Sequence, residues 1–117
     1  MLQLNPHVEV VCTYLRTEEG GRSSPAFSGY RPQFYYNGEN FDGQHDLVGV
    51  EKAFPGETVT SRVTFAYPQY HAERVHVGME FELREGSKVV ARGKVTKILT
   101  LASVLPEPEP PSNFQLP

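Results

Sequence analysis

The stretch Gly29-Tyr30-Arg31-Pro32-Gln33-Phe34-Tyr35-Tyr36 places a turn glycine, an arginine and an aromatic segment in immediate succession. Five of its eight side chains contain a ring, so it can fill much of a small core. Pro32 has no N–H group to donate, so we expect it at the mouth of a strand or on a sheet edge. Arg31 presents a planar fork of donors that suits a carboxylate or a phosphate. We expect the rest of the chain to form the barrel that holds this strand.

Outward from this stretch, β-type patterns recur along the chain. Residues 58–67 alternate between two faces with a period of two, and residues 79–84 alternate apolar and charged side chains. No window of 11 or more residues has helical periodicity. The pattern therefore predicts an all-β domain, closed as a barrel or a tight sandwich. The predicted strands, about six in number, are residues 7–15, 33–36, 44–50, 58–67, 79–84 and 89–99.

Glycine and proline mark the predicted turns. Turns are predicted at Asn37-Gly38, at Asp42-Gly43 and at Phe54-Pro55-Gly56-Glu57, and residues 85–88 close a β-hairpin. Residues 69–77 fit either an extended loop or one helical turn. We divide the chain into a lead-in (residues 1–6), a β-barrel domain (7–103) and a proline-rich tail (104–117) that cannot build a core.

Composition sets limits on the kind of protein this is. A chain of 117 residues is one domain of ordinary size. The formal charge of −3 argues against non-specific binding to nucleic acid, which needs a basic surface. Cys12 is the only cysteine, which excludes an internal disulfide and suggests a reducing compartment. Without a signal-peptide pattern or a membrane-spanning apolar run, we expect a cytoplasmic protein that does not contact membranes.

No catalytic constellation is evident in the sequence. Cys12 lies on the apolar face of a predicted strand, where a buried and inert thiol is expected. His45 and Asp46 are adjacent and would point to opposite faces of a strand. The set His71, Glu73 and His76 could hold a metal, but its spacing matches no known signature and favours a solvated loop. We therefore expect a protein that is not an enzyme and has no cofactor.

Polar residues at strand ends form the candidate site. Because strand ends meet at the rim of a barrel, these side chains could converge there. They could form a binding surface, or they could make ion pairs that tie loops together, and the sequence leaves both open. The candidate partner-binding or RNA-binding residues are Arg22, Arg31, Gln33, Arg84, Glu85 and Gly86.

Several of these motifs match one family in the same order. Glu19-Gly20-Gly21-Arg22 followed by Gly29–Tyr35 resembles the start of the third, C-terminal domain of bacterial elongation factor Tu. The likeness continues through Phe54-Pro55-Gly56-Glu57, the run from Phe81 to Gly86, and the run from Val90 to Val95, and it covers about residues 7–99. The resemblance implies a six-stranded antiparallel Greek-key barrel.

The resemblance also implies partners. In the parent factor this domain contacts the backbone of the tRNA T stem and packs against the GTPase domain. Gln33 and the Glu85-Gly86 turn match tRNA-contacting positions. Asp42 replaces a threonine and Tyr67 a lysine of the family, and we expect both exchanges to weaken phosphate contacts. No P-loop is present, so we expect no GTP binding.

Three functional hypotheses follow. The first is a non-catalytic, stand-alone module that docks a protein partner such as a GTPase or a translation component. The second is binding of the tRNA backbone through the rim residues, and the third, the least favoured, is a metalloprotein or enzyme built on His71, Glu73 and His76. A homo-oligomer could cover an exposed face of the barrel. The predicted core residues are Phe34, Val63, Phe65, Phe81 and Leu83.

Overall fold

The computed structural model describes residues 5–106, whose regular structure is almost entirely β. The barrel strands are β1 (Val8–Tyr14), β3 (Gln33–Tyr36), β4 (Glu39–Leu47), β6 (Thr58–Phe65), β7 (Glu80–Glu85) and β8 (Lys88–Ile98). These six strands close into an antiparallel barrel in the order β1-β6-β4-β3-β7-β8, which confirms the predicted six-stranded barrel. Strands β3, β4 and β6 form a meander and β1 lies beside β6, which is Greek-key topology.

Smaller elements lie outside the barrel wall. A two-stranded ribbon, which the sequence analysis did not predict, pairs β2 (Ala26–Phe27) with β5 (Lys52–Ala53). One short helix, α1, covers Pro68–His71. Of the two forms predicted for residues 69–77, the start of this segment therefore adopts the helical turn. Two 3-10 turns cover Thr17–Glu19 and Thr100–Ser103. Within the described residues, no helix is long and apolar enough to cross a membrane.

Every residue predicted for the core is buried. Side chains at the inward positions of the strands form the hydrophobic core. Within it, the rings of Phe34 and Phe81 stack with their centroids 4.2 Å apart. Cys12 is completely buried, as predicted, and burial raises the pKa of its thiol to about 12. The confirmed core residues are Phe34, Val63, Phe65, Phe81 and Leu83.

One end of the barrel is closed by a histidine from α1. The ring of His71 is buried and stacks on Phe65 at 4.1 Å between centroids. Its Nδ1 is hydrogen-bonded to the hydroxyl of Tyr36 at 2.6 Å. The prediction of a solvated loop is therefore wrong for His71, because aromatic contacts draw its ring into the barrel. Glu73 and His76 are exposed, as that prediction expected.

The start of β4 differs from the prediction. The predicted turn at Asp42-Gly43 is wrong, since both residues lie inside β4, and the strand covers Glu39–Leu47 rather than residues 44–50. Gly43 pairs with Phe65, and a Cβ on Gly43 would lie only 3.1 Å from Cγ1 of Val63. A larger residue at this position would require Val63 to shift by a few tenths of an ångström, so the glycine permits close packing, a role that the sequence does not distinguish from a turn signal.

The β7–β8 hairpin is present as predicted. Its turn contains Gly86 with φ of 63°, a left-handed conformation that glycine adopts without strain. Pro32 immediately precedes β3, as expected for a residue without an N–H donor. Residues 1–4 and 107–117 lie outside the described part of the chain, and with them most of the predicted lead-in and proline-rich tail.

Candidate functional site

The Glu19-Gly20-Gly21-Arg22 loop brings Arg22 to the rim of the barrel. Gly20 ends the first 3-10 turn with φ of 94°, and the N–H of Gly21 donates to the carbonyl of Arg16 at 3.0 Å. A Cβ on Gly21 would lie 2.2 Å from the carbonyl oxygen of Leu15, so only glycine fits. The loop folds back on itself, and its last residue, Arg22, faces the β7–β8 turn.

Arg22 and Tyr30 meet Glu85 at this rim, although Glu85 lies 63 and 55 residues further along the chain. The guanidinium of Arg22 and the hydroxyl of Tyr30 both donate to the same carboxylate oxygen of Glu85. The Arg22 guanidinium also lies 4.7 Å from the centroid of the Tyr30 ring. We call Arg22, Tyr30 and Glu85 the rim tie, because they join the loop that ends at Arg22 to the β7–β8 turn.

The rim tie perturbs the acid–base behaviour of its members. Partial burial of the Glu85 carboxyl acts to raise its pKa, but the hydrogen bonds from Tyr30 and Arg22 outweigh that effect and lower the pKa. Burial and the adjacent Glu85 charge raise the pKa of Tyr30. The carboxylate is therefore ionised and held by two donors at neutral pH.

A second set of candidate residues lies on the outer surface of β3 and β7. Gln33 stands between Asp42 on β4 and Arg84 on β7 in the sheet register. The Arg84 guanidinium lies 3.6 Å from the centroid of the Tyr35 ring and donates to Glu82 at 2.6 Å. Arg84 is thus held flat against the barrel wall.

A groove of about 680 Å³ opens beside this pair. Its charged side chains come from two adjacent strands, where Glu82 stands opposite Arg92 and Glu80 opposite Lys94. The groove is lined among others by Val11, Thr13, Tyr35, Glu82, Arg92 and Lys94. We call the outer surface of β3, β7, β8 and β1 around this groove the groove face.

The structure thus brings the predicted site residues together in two adjacent groups. Arg22 and Glu85 belong to the rim tie, with Gly86 in the turn that follows. Gln33 and Arg84 lie on the groove face. Arg31 is exposed and, among residues 5–106, makes no side-chain hydrogen bond or ion pair.

Several residues of this surface were not predicted from the sequence. Tyr30 completes the rim tie, and Tyr35 and Glu82 hold Arg84 in place. Glu80 and Glu82 were predicted only as the charged half of an alternating pattern, and β8 was predicted only as a strand. Their common groove depends on the register of β7 against β8, which alternation alone does not specify.

Two other candidate sites receive no support from the geometry. In the described part of the chain, no group of three or more His, Cys, Asp or Glu side chains is placed to hold a metal. His71 is engaged with Tyr36, while His76 is exposed with its Nδ1 3.4 Å from the carbonyl of Arg74. His45 is buried and Asp46 points outward, as predicted for neighbours on one strand.

The closed six-stranded barrel, its Greek-key order and the glycine-shaped rim agree with one family. Residues 5–99 match the family model described as the elongation factor Tu C-terminal domain. The match includes all six barrel strands and every candidate site residue. The chain therefore belongs to the elongation factor Tu C-terminal domain family.

Proposed function

We propose that the chain is a non-catalytic docking module whose groove face binds a protein partner, either a GTPase or another translation component. The observation that most supports this proposal is the arrangement around Arg84, whose guanidinium lies between the Tyr35 ring and the Glu82 carboxylate. Arginine and tyrosine dominate the energetics of many protein interfaces. Side chains that are ordered before binding lose little conformational entropy when the partner arrives.

The charges of the groove face favour a protein over a nucleic acid. On the paired strands β7 and β8, Glu80 stands opposite Lys94 and Glu82 opposite Arg92, so the face carries both positive and negative charge. A surface for the phosphate backbone would be uniformly basic, because phosphate neutralisation supplies most of its affinity. A mixed surface instead matches a partner that also presents both signs.

The rim tie has a supporting role in this proposal. It fixes the position of the β7–β8 turn, and therefore the end of β7 that bears Arg84. Arg31 and Gln33, on the segment that enters β3, would contact the partner directly. The six residues predicted for the site thus divide into contact residues (Arg31, Gln33, Arg84) and positioning residues (Arg22, Glu85, Gly86).

A binding assay with defined ligands tests the proposal. The immobilised full chain is presented with elongation factor Tu that lacks its own C-terminal domain, and separately with a cytoplasmic extract from which bound protein and RNA are both measured. Arg84→Ala and Arg31→Ala are compared with Arg62→Ala, an exposed arginine on β6 outside the groove. We expect a protein to be retained by the parent chain and by Arg62→Ala, and to be lost from the other two variants.

Two results would contradict the protein-docking proposal. Equal recovery from all four chains would show that the groove face is not the contact surface. Recovery of tRNA that is released by moderate salt, without a protein, would support the RNA-binding alternative instead.

A further inference from the structure

Arg22 is shared between the rim tie and a neighbouring serine. One terminal nitrogen of its guanidinium, Nη1, donates to Glu85. The other terminal nitrogen, Nη2, lies 3.4 Å from the hydroxyl oxygen of Ser24 and 3.5 Å from the carbonyl oxygen of Pro25. The third nitrogen, Nε, donates to the carbonyl oxygen of Ser24 at 3.2 Å. The same arginine therefore contacts both the Ser24-Pro25 segment and the β7–β8 turn.

The hydroxyl of Ser24 is accessible and only weakly engaged. Ser24 is exposed and lies in the irregular segment between the first 3-10 turn and β2. In the described part of the chain, its hydroxyl has one hydrogen bond, the contact with Arg22, which at 3.4 Å is long. The hydroxyl of Ser28, by contrast, accepts a hydrogen bond from a backbone N–H of β4 at 2.9 Å. Pro25 favours an extended backbone at Ser24, which suits entry into the cleft of a modifying enzyme.

A phosphate on Ser24 would carry more negative charge than the carboxylate that Arg22 binds. A phosphoserine has a charge of about −1.5 to −2 at pH 7 and three acceptor oxygens, against a single negative charge for Glu85. A guanidinium group binds phosphate through two parallel hydrogen bonds. Because phosphorus is bonded directly to Oγ, the phosphate oxygens lie within reach of the guanidinium nitrogen that is 3.4 Å from that Oγ. The loop thus supplies the arginine that a phosphoserine needs.

The carboxylates near this loop offer little competition to such a phosphate. Glu18 and Glu19 lie 3.4 Å and 3.3 Å from the guanidinium of Arg16, so their charges are matched by that residue. Among the described residues, Glu85 is the only carboxylate within 4.0 Å of Arg22. The Glu85 side chain is 37% exposed, so water can solvate its charge once Arg22 has moved away.

We propose that Ser24 is a phosphorylation site and that its phosphate binds Arg22 in place of Glu85. In the modification, a protein kinase transfers the γ-phosphoryl group of a nucleoside triphosphate. The Ser24 oxygen forms a bond to the γ-phosphorus, the bond from that phosphorus to the bridging oxygen breaks, the nucleoside diphosphate leaves with the electron pair, and the hydroxyl proton passes to a base of the kinase.

Phosphorylation then opens the rim tie. Glu85 keeps the hydroxyl of Tyr30 as a donor, but the ion pair no longer joins the β7–β8 turn to the loop that ends at Arg22. An effect of this change on partner binding at the groove face rests on the proposed function. The modification itself and the loss of the ion pair do not depend on it.

Incubation with a source of kinases tests the modification. The full chain is incubated with MgATP and a cytoplasmic extract of the cells that produce it, and tandem mass spectrometry distinguishes phosphate on Ser24 from phosphate on Ser23. We expect phosphate on Ser24. The variant Ser24→Ala should lose this signal, whereas Ser28→Ala should retain it. A chain without phosphate on Ser24, or with phosphate on Ser23 in its place, would overturn the assignment.

A chain synthesised with phosphoserine in place of Ser24 tests the exchange of partners. In a phosphorus NMR titration, the second pKa of the phosphate should lie below its usual value of about 6 and should return to that value in Arg22→Ala. A double-mutant cycle with Arg22→Ala and Glu85→Ala should show that their coupling is lost in the phosphorylated chain. Phosphoserine in place of Ser103, an exposed residue beyond the far end of β8, is the control and should leave that coupling intact.

Two results would contradict the exchange of partners. The first is a phosphate pKa that does not respond to Arg22→Ala. The second is a coupling between Arg22 and Glu85 that survives the phosphorylation of Ser24, because Arg22 would then hold both anions. Neither readout involves a partner, so a failure of the groove-face proposal would leave both readouts unchanged.

Discussion

The ring of Phe81 lies against the backbone of Gly93 so closely that a Cβ on Gly93 would stand 2.4 Å from Cζ of Phe81. The two residues are cross-strand partners on β7 and β8. The same Cβ would lie 2.9 Å from the carbonyl oxygen of Val11 on β1. Three strands of the barrel therefore close together only because position 93 has no side chain.

Gly93→Ala should lower the free energy of unfolding by about 1–3 kcal/mol, the usual cost of overpacking a core. Urea unfolding followed by circular dichroism measures the change. Adding Phe81→Leu should recover part of the loss, because the shorter side chain relieves one of the two contacts. A Gly93→Ala variant as stable as the parent would contradict the contact.

Phe81→Ala should lower the free energy of unfolding by about 3–5 kcal/mol, because the residue is 4% exposed and stacks on Phe34. The matched control is Phe27→Ala, since Phe27 is 55% exposed. Its removal should cost less than about 1 kcal/mol. Equal losses in the two variants would show that the inward and outward faces had been assigned wrongly.

The rim tie should appear as an energetic coupling between Arg22 and Glu85. Their side chains are 22% and 37% exposed, so solvent screens the pair and the coupling should be about 1 kcal/mol. A double-mutant cycle with Arg22→Ala and Glu85→Ala measures it. The same cycle on Arg16 and Glu18, which are 63% and 69% exposed, should give a coupling near zero.

The rim tie also has a pH dependence with a defined sign. The pKa of Glu85 is lower in the folded chain than in the unfolded chain, so its contribution is present above the unfolded pKa near 4.5 and is lost as the pH falls through the folded pKa. The coupling between Arg22 and Glu85 should therefore disappear in acid. A coupling that persists after the carboxyl is protonated would contradict the role of the charge.

His45 should make the folded state sensitive to mild acid. Its ring is completely buried, burial lowers its pKa from 6.5 to about 4, and neither ring nitrogen has a hydrogen-bond partner among the described residues. Between these pH values the unfolded chain binds a proton that the folded chain does not, so stability falls as the pH falls from 6.5 to 4. Protonation of one such group changes the stability by about 1.4 kcal/mol per pH unit.

His45→Leu should remove this part of the pH dependence and leave the chain at least as stable at neutral pH, since a buried polar ring without partners is costly. His71, whose pKa burial and the charges of Arg74 and His7 also lower to about 4, retains its own contribution. Urea midpoints between pH 4 and pH 7 measure the slope. His76→Leu is the control and should leave the slope unchanged, because His76 is exposed.

Much of the fold could be predicted from the sequence because its signals are local. Alternation places Val63 and Phe65 on the inner face, and the glycine at position 86 marks the hairpin turn. Gly93 lies inside β8 and packs closely against Phe81, which is one of the roles that a glycine within a strand pattern indicates. The turn predicted at Asp42-Gly43 was wrong because the deciding signal is not local. Glycine suits a turn and a tight core contact equally well, and only the position of Val63 across the sheet distinguishes the two roles.

The sequence by itself determined the strand faces, the core and the residues available at the rim, because side-chain periodicity and turn chemistry act over a few neighbouring positions. Only the tertiary structure decided which of those residues meet. The common carboxylate contact of Arg22 and Tyr30 on Glu85, the groove between Glu82 and Arg92, and the burial of His71 all join segments far apart in the chain. Their positions follow from barrel closure and strand register, which arise when the whole sheet packs around one core.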